Sequence, residues 1–252
     1  MRATVTPAPL RTGKRRLLTS CAVAAGMMAL ACGGPALAQV AGTGTFTTGG
    51  GTANGGGGTT TTTTVTQLQN VIDWVPTDPL PTGGDINLLP AGSTWNFVGT
   101  GDYTVLNRFV NSGGGSLSRQ IALNGTVNSY VGSTTGPRGG NIWFYNAGGI
   151  LIGATGVINV GSLVLTTNNV STSGTTISFN GTTDSTSAIT VNGAINANKV
   201  GNPGGSYVAL VAPRIVQAGA VRVDGSAAYV AAEQVDIRIN SGLFDINVIR
   251  RA

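Results

Sequence analysis

The chain contains no histidine, and both of its cysteines, Cys21 and Cys32, lie in the first 38 residues. Two common sources of a nucleophile and its base are therefore closed beyond residue 38. A thiolate metal site is excluded there, and so is a disulfide framework. Charge is scarce as well, at 9% of residues. The formal net charge of +5 comes from Arg2, Arg11, Lys14, Arg15 and Arg16. All nine acidic residues lie beyond Ala38 and match the nine basic residues found there. A neutral chain offers no basic footprint for nucleic acid. Nothing after Ala38 approaches the ~18 uninterrupted apolar residues that a spanning helix needs, so no transmembrane segment is expected in the mature chain.

The early basic residues precede the apolar run "LLTSCAVAAGMMALACGGPALA", which ends in the small-residue pattern Ala36-Leu37-Ala38. This is the form of a secretory signal peptide over residues 1–38, cleaved between Ala38 and Gln39. A secreted chain without disulfides must be held by burial and backbone hydrogen bonds. Forty glycines with abundant Thr, Val, Ile and Asn describe an all-β chain with many turns. Residues 39–66, dominated by Gly and Thr, show no period that would bury a face, so they read as a low-complexity flexible lead. A β-domain is expected over 67–252.

From Asp85 a five-residue unit recurs: Gly, any residue, Val or Ile, any residue, then a small or aliphatic residue. It begins at Gly125, Gly156, Gly193 and Gly219, and each copy is followed by a second Gly-led strand. Alternation supplies the faces: Val235, Ile237 and Ile239 oppose Asp236 and Arg238, and Val221 and Val223 oppose Arg222 and Asp224. One such unit cannot bury its own apolar face. Stacked in parallel, the units form a β-solenoid, with glycine at the corners supplying positive φ and room for tight bends. The fourth unit position holds Asn128, Asn159 and Asn196, candidates for an amide ladder along the axis, with ordinary turn chemistry as the alternative. In "NIWFYNAGGILIG", Asn141 to Gly153, alternation sets Ile142 and Phe144 against Trp143 and Tyr145 across a corner at Asn146 to Gly149. These aromatics read first as packing, and second as a sugar-stacking platform.

The blocks "VLNRFV" (Val105 to Val110), "NIWFYNAGGILIGATGVINVGSLVLTT" and "GGSYVALVAPRIVQAGAVRVDGSAAYVAAEQV" resemble the secretion domain of filamentous-haemagglutinin-like exoproteins, the cargo of two-partner secretion. The family's Asn-Pro-Asn-Gly-Ile turn maps onto Asn146, Ala147, Gly148, Gly149 and Ile150. Ala147 stands for Pro and Gly148 for Asn, which predicts a looser turn. The earlier Asn-Pro-Asn-Leu motif has no clear counterpart. The resemblance implies a right-handed parallel β-helix with an N-terminal cap. It also implies a periplasmic stage and recognition, while unfolded, by an outer-membrane TpsB-type barrel transporter with periplasmic domains. Folding outside would then help to draw the chain through. Asn107, Arg108 and the residues Asn146 to Ile150 are the recognition candidates on this resemblance.

The expected product is a secreted, non-enzymatic, adhesin-like protein, extracellular or on the bacterial surface, needing no metal or cofactor. Its further partner would be a host or neighbouring-cell receptor or glycan. The competing reading is a β-helix polysaccharide lyase or glycosidase, for which Asp224 and Asp236, with Arg222 and Arg238 nearby, would have to share a face on neighbouring rungs. The final stretch "LFDINVIRRA" reads as a strand in progress, so the solenoid is expected to be open at its C-terminal end and to belong to a longer or truncated fibre.

Overall fold

The computed structural model describes residues 39–77, 84–202 and 204–251. The signal-peptide reading and Ala38 lie outside them. The chain enters as β1 (Gly42–Thr48), β2 (Gly51–Gly57) and β3 (Thr60–Val65). It then winds through three faces in turn. The first coil is β4 (Gln69–Pro76), β5 (Ile86–Leu89) and β6 (Thr94–Gly99), and the second is β7 (Thr104–Phe109), β8 (Ile121–Leu123) and β9 (Thr126–Val131). The third is β10 (Asn141–Tyr145), β11 (Ile150–Ile152) and β12 (Val157–Val160). The fourth starts at β13 (Ser162–Thr166), leaves as a hairpin of β14 (Asn169–Ser173) and β15 (Thr176–Asn180), and returns as β16 (Ala188–Val191) and β17 (Ala194–Ala197). The last coil is β18 (Ser206–Ala212), β19 (Arg214–Gln217) and β20 (Ala220–Val223), followed by β21 (Gly225–Asn240) and β22 (Leu243–Arg251).

Each face is a parallel ladder. Face A runs β4-β7-β10-β13-β18-β21, face B runs β3-β6-β9-β12-β17-β20, and face C runs β5-β8-β11-β16-β19. The recurring unit is face B. Val157, Ile158 and Asn159 lie in register with Thr126, Val127 and Asn128, and again with Ala194, Ile195 and Asn196. Inward residues of all three faces fuse into one core, aromatic at its N-terminal end and aliphatic beyond. There Trp95 meets Trp74 edge-on, with ring centroids 4.8 Å apart, and lies 4.8 Å from Phe97 and 5.6 Å from Phe144.

Residues 39–66 are not a flexible lead. β1 pairs antiparallel with β4, β2 antiparallel with β3, and β3 opens face B in parallel with β6. These strands form the N-terminal cap, and the domain boundary moves forward to include them. A run of identical threonines hides its own periodicity, because the residues differ only in where they point. Thr61 and Thr63 turn inward and are wholly buried, while their neighbours face out. Their hydroxyls do not go unpaired. Thr61 Oγ1 accepts from the Val40 amide at 3.0 Å, and Thr63 Oγ1 donates to the Ala53 carbonyl at 2.7 Å while accepting from Trp95 Nε1 at 3.0 Å. The Ala41 amide donates to the Leu88 carbonyl, which ties the cap to face C as well.

The unit glycines also serve differently from expectation. Gly125, Gly156, Gly193 and Gly219 do not have positive φ. Instead, a Cβ on Gly193 would strike the carbonyl oxygens of Gly156 and Gly153, and one on Gly219 would strike that of Gly193. Consecutive coils approach each other here through bare backbone. True left-handed corners occur elsewhere, as at Gly140 and Gly149.

The outer surface of face A carries a second layer. The far half of β21 pairs antiparallel with β15 and β22, and β15 pairs with β14. Ile177, Phe179, Val235 and Ile237 of this sheet pack with Trp143, Val164, Tyr207, Ala209 and Val211. Ser206–Ala212 is therefore buried at every position, as expected of a strand covered on both faces. "LFDINVIRR" is a strand, but it returns along β21 instead of starting another rung. Among the described residues, β19 and β20 are paired on one side only. Tyr229, in register with the buried Leu210, is 44% exposed at this end of the coil.

Candidate recognition site

Asn107 and Arg108 share β7 but face opposite ways. Asn107 points into the core, in register with Ile72 and Phe144, and is wholly buried. Its amide is accommodated because it is satisfied: Oδ1 accepts from Trp74 Nε1 at 3.0 Å, and Nδ2 donates to the Trp143 carbonyl at 3.2 Å and the Val105 carbonyl at 3.4 Å. Asn107→Ala would leave the buried Trp74 indole N–H unpaired, and is expected to destabilise the domain by about 2 kcal/mol in denaturant unfolding. Arg108 points outward and forms a bidentate pair with Asp73, Nε to Oδ1 at 2.6 Å and Nη2 to Oδ2 at 2.9 Å. Asp73 was not identified from sequence, because cross-rung partners stand 35 residues apart with no local signal.

The corner Asn146 to Gly149 is closed rather than loose. The Gly149 amide donates to the Asn146 carbonyl at 3.1 Å, and Asn146 Nδ2 donates to the Gly149 carbonyl at 2.6 Å and to the Arg119 carbonyl of the preceding corner at 2.9 Å. Any Cβ at 148 would meet the backbone of Ser118 and Arg119. The Gly148 departure is thus fitted to this stacking, and an asparagine in its place would force the two corners apart. Gly149 has φ +113°, where glycine is at ease. The Ala147 carbonyl accepts from Ser187 Oγ at 2.6 Å, and Ile150 is core. The register sets Arg108 beside Tyr145, one residue before this corner. Arg108, Asp73, Tyr145 and Thr167 line one shallow cleft of ≈ 300 Å³.

Asn128, Asn159 and Asn196 form a row of side-chain amides. Asn159 Nδ2 donates to Asn128 Oδ1 at 3.2 Å, and Asn196 Nδ2 to Asn159 Oδ1 at 3.0 Å. The row extends to Asn96, whose Oδ1 accepts from Asn128 Nδ2 at 3.0 Å. Asn96 sits in a strand that lacks the Gly-led unit, which is why pattern reading passed over it.

Ile142 and Phe144 face the core. Trp143 faces outward but lies beneath the second layer, with its Nε1 donating to Tyr207 Oη at 3.1 Å. An open stacking platform at Trp143, Phe144 and Tyr145 is therefore excluded in the folded domain. Asp224 and Asp236 do not meet on neighbouring rungs. Asp224 closes the end of β20, accepting from Asn198 Nδ2 at 3.3 Å, whereas Asp236 lies in the outer sheet and accepts from Ser178 Oγ at 2.7 Å. Arg238 pairs across β22 with Asp245 at 3.7 Å, on the surface. No group of three or more His, Cys, Asp or Glu residues suited to a metal occurs among the described residues.

The outer sheet is clamped by groups that sequence reading also missed. Asn168 Nδ2 donates to the carbonyls of Ala232 and Glu233, each at 3.0 Å, and Glu233 pairs with Arg250 at 2.6 Å.

Two phenols carry a pH signature. Burial holds Tyr207 well above its ordinary value of 10.0; the hydrogen bond from Trp143 acts against this and the Asp102 carboxylate adds to it. Burial does the same to Tyr103, opposed by its hydrogen bonds to Tyr130 and Ser129. Above pH 10 the unfolded chain gives up these protons and the folded chain keeps them, so stability falls as pH rises. Melts between pH 8 and 11 should decline from about pH 10, less steeply in Tyr207→Phe.

No family model matches the chain, and no curated protein matches it in sequence. Among solved structures it is similar to the HMW1 secretion domain from Haemophilus influenzae, at 20% identity and a TM-score of 0.61 over 83% of this chain. The match takes in 49% of that protein, so the chain spans about half its length. With the three parallel faces and the antiparallel cap, the likeness establishes the fold as a parallel β-helix capped at its N-terminal end.

Proposed function

We propose that this chain is the secretion-directing domain of a non-catalytic, adhesin-like exoprotein, exported unfolded through a partner outer-membrane barrel and folded outside the cell. The observation that carries the proposal is the fold likeness to a secretion domain over 83% of this chain. The signal-peptide pattern of residues 1–38 supports an inner-membrane crossing first. Burial of the motif residues supports the unfolded stage. Asn107 and Asn146 are wholly enclosed in the folded coil, so a transporter that reads them must do so before the coil forms. Folding then buries what was read and leaves no route back. The separation of Asp224 from Asp236 weakens the lyase or glycosidase reading.

Threading of an unfolded chain has a direct test. Val157 and Ala194 are cross-rung partners on face B, at a spacing of about 4.8 Å that suits a disulfide. Beyond residue 38 the chain has no other cysteine. In Val157→Cys/Ala194→Cys these are the two thiols of the unfolded periplasmic chain, so oxidation there should close a loop between them that the folded register also tolerates. Release into the medium should drop several-fold and recover when a thiol reductant is added. Undiminished release of the cross-linked chain would overturn the proposal.

A further inference from the structure

Against the outer surface of face A, beside Lys199 and Asn202, lies a cleft of ≈ 390 Å³. Its volume falls within the usual range for small-molecule sites. Its lining includes Asp102, Asn141, Trp143, Lys199, Asn202 and Tyr207. Lys199 is a residue that burial normally disfavours, yet its side chain is only 10% exposed. It is held by Asp102, at 2.9 Å to Oδ1 and 3.1 Å to Oδ2, and over the Tyr207 ring at 5.7 Å. The Asp102 side chain stays 64% exposed. Asn141 Nδ2 donates to Asp102 Oδ1 at 3.2 Å, to the Tyr103 carbonyl at 3.2 Å and to Thr104 Oγ1 at 3.2 Å. Those partners fix which way the amide faces. Its Oδ1 is buried without a hydrogen-bond partner, although the residue is only 5% exposed.

From this arrangement we infer that the cleft is a saccharide site, taking one neutral hexose-sized unit. An ammonium with donors to spare stands beside a carboxylate with lone pairs to spare. Adjacent sugar hydroxyls meet such a pair well, one accepting from Lys199 and the next donating to Asp102. Asn141 and Asn202 add amide groups at the wall, while Trp143 and Tyr207, 8% and 6% exposed, form a packed floor with no free ring face. A compact anion is disfavoured because Asp102 already neutralises Lys199, and a cation is disfavoured for the converse reason. The Asn202 amide donates to the Lys199 carbonyl at 3.2 Å, which holds Asn202 beside Lys199 at the opening. The site belongs to the folded domain, and its occupancy does not depend on how the chain is exported.

The test is saturation-transfer NMR on the purified, folded protein with D-glucose, D-galactose and N-acetyl-D-glucosamine as separate probes, and the zwitterion L-alanine as a non-sugar probe. Transfer to the ring protons of at least one sugar is expected. Lys199→Met, which keeps the apolar stem and loses the charge, should weaken its binding at least tenfold. Asp102→Asn, at an exposed carboxylate, should do the same. Thermal melts of both variants separate loss of binding from loss of fold, and Asp236→Asn, in the outer sheet, should bind as the unaltered protein does. No transfer to any of the three sugars, transfer that survives in both cleft variants when folded, or binding of L-alanine in their place would overturn the assignment.

Discussion

Gly193→Ala should lower the stability of the coil by about 3 kcal/mol or more, seen as a fall in the denaturant midpoint, whereas Gly57→Ala should change it by less than about 0.5 kcal/mol. The contrast isolates the cause. Neither glycine has a positive φ, so neither substitution strains its own backbone conformation. A Cβ at 57 meets nothing within 4 Å. A Cβ at 193 meets the carbonyl oxygens of Gly156 and Gly153 from the rung before, and Gly193 in turn presents its own carbonyl to Gly219. These are backbone atoms held in three parallel ladders, so relief requires the rungs to separate. Separation lengthens the hydrogen bond from the Ala194 amide to the Gly156 carbonyl, now 2.9 Å. The amide row beside it, from Asn159 to Asn196 at 3.0 Å, would lengthen too. Equal effects of the two substitutions would mean that the coils are not stacked as described.

Trp95→Ala should cost about 3–5 kcal/mol, the usual range for truncating a wholly buried aromatic. Its ring is central to the N-terminal core, contacting Trp74, Phe97 and Phe144. Its Nε1 reaches Thr63 Oγ1, the hydroxyl that also bonds the cap strand β2 at Ala53. Trp95→Phe keeps most of the packing and loses that link, so a smaller cost of about 1–2 kcal/mol is expected. Proteolysis should show where it falls: cleavage within 42–65 should accelerate in both variants, because the cap is released first. Unchanged protection of that segment would argue that it is held independently of Trp95.

Much of face B was legible because its rungs repeat a chemical pattern. Val127, Ile158, Ile195 and Val221 recur after a glycine and before a polar residue, and those four strands are in parallel register. Their asparagines lay at the same offset and stack as amides. The reason for the glycines was not legible, since a backbone contact between rungs leaves no trace in one rung's own sequence. The cap was hidden for a different reason: six consecutive threonines, Thr59 to Thr64, give no contrast between inward and outward positions. Asn107 read as a family motif residue, and only its place opposite Ile72 and Phe144 shows it as a core amide with three partners. The pairings Arg108–Asp73 and Lys199–Asp102 span 35 and 97 residues. Charge pairs so distant are fixed by the winding of the coil, and no spacing rule predicts them. In β21, one unbroken strand of 16 residues serves as the last rung of face A and then as the centre of the outer sheet. Its alternation was visible, but its change of partners was not.

The central claim is export through a dedicated barrel, and the direct measurement is the amount of mature chain released into the medium by cells expressing this protein with and without a partner outer-membrane transporter. The account predicts folded, protease-resistant protein outside only when the transporter is present, and periplasmic chain degraded when it is absent. Equal release of folded protein in the two strains would contradict it.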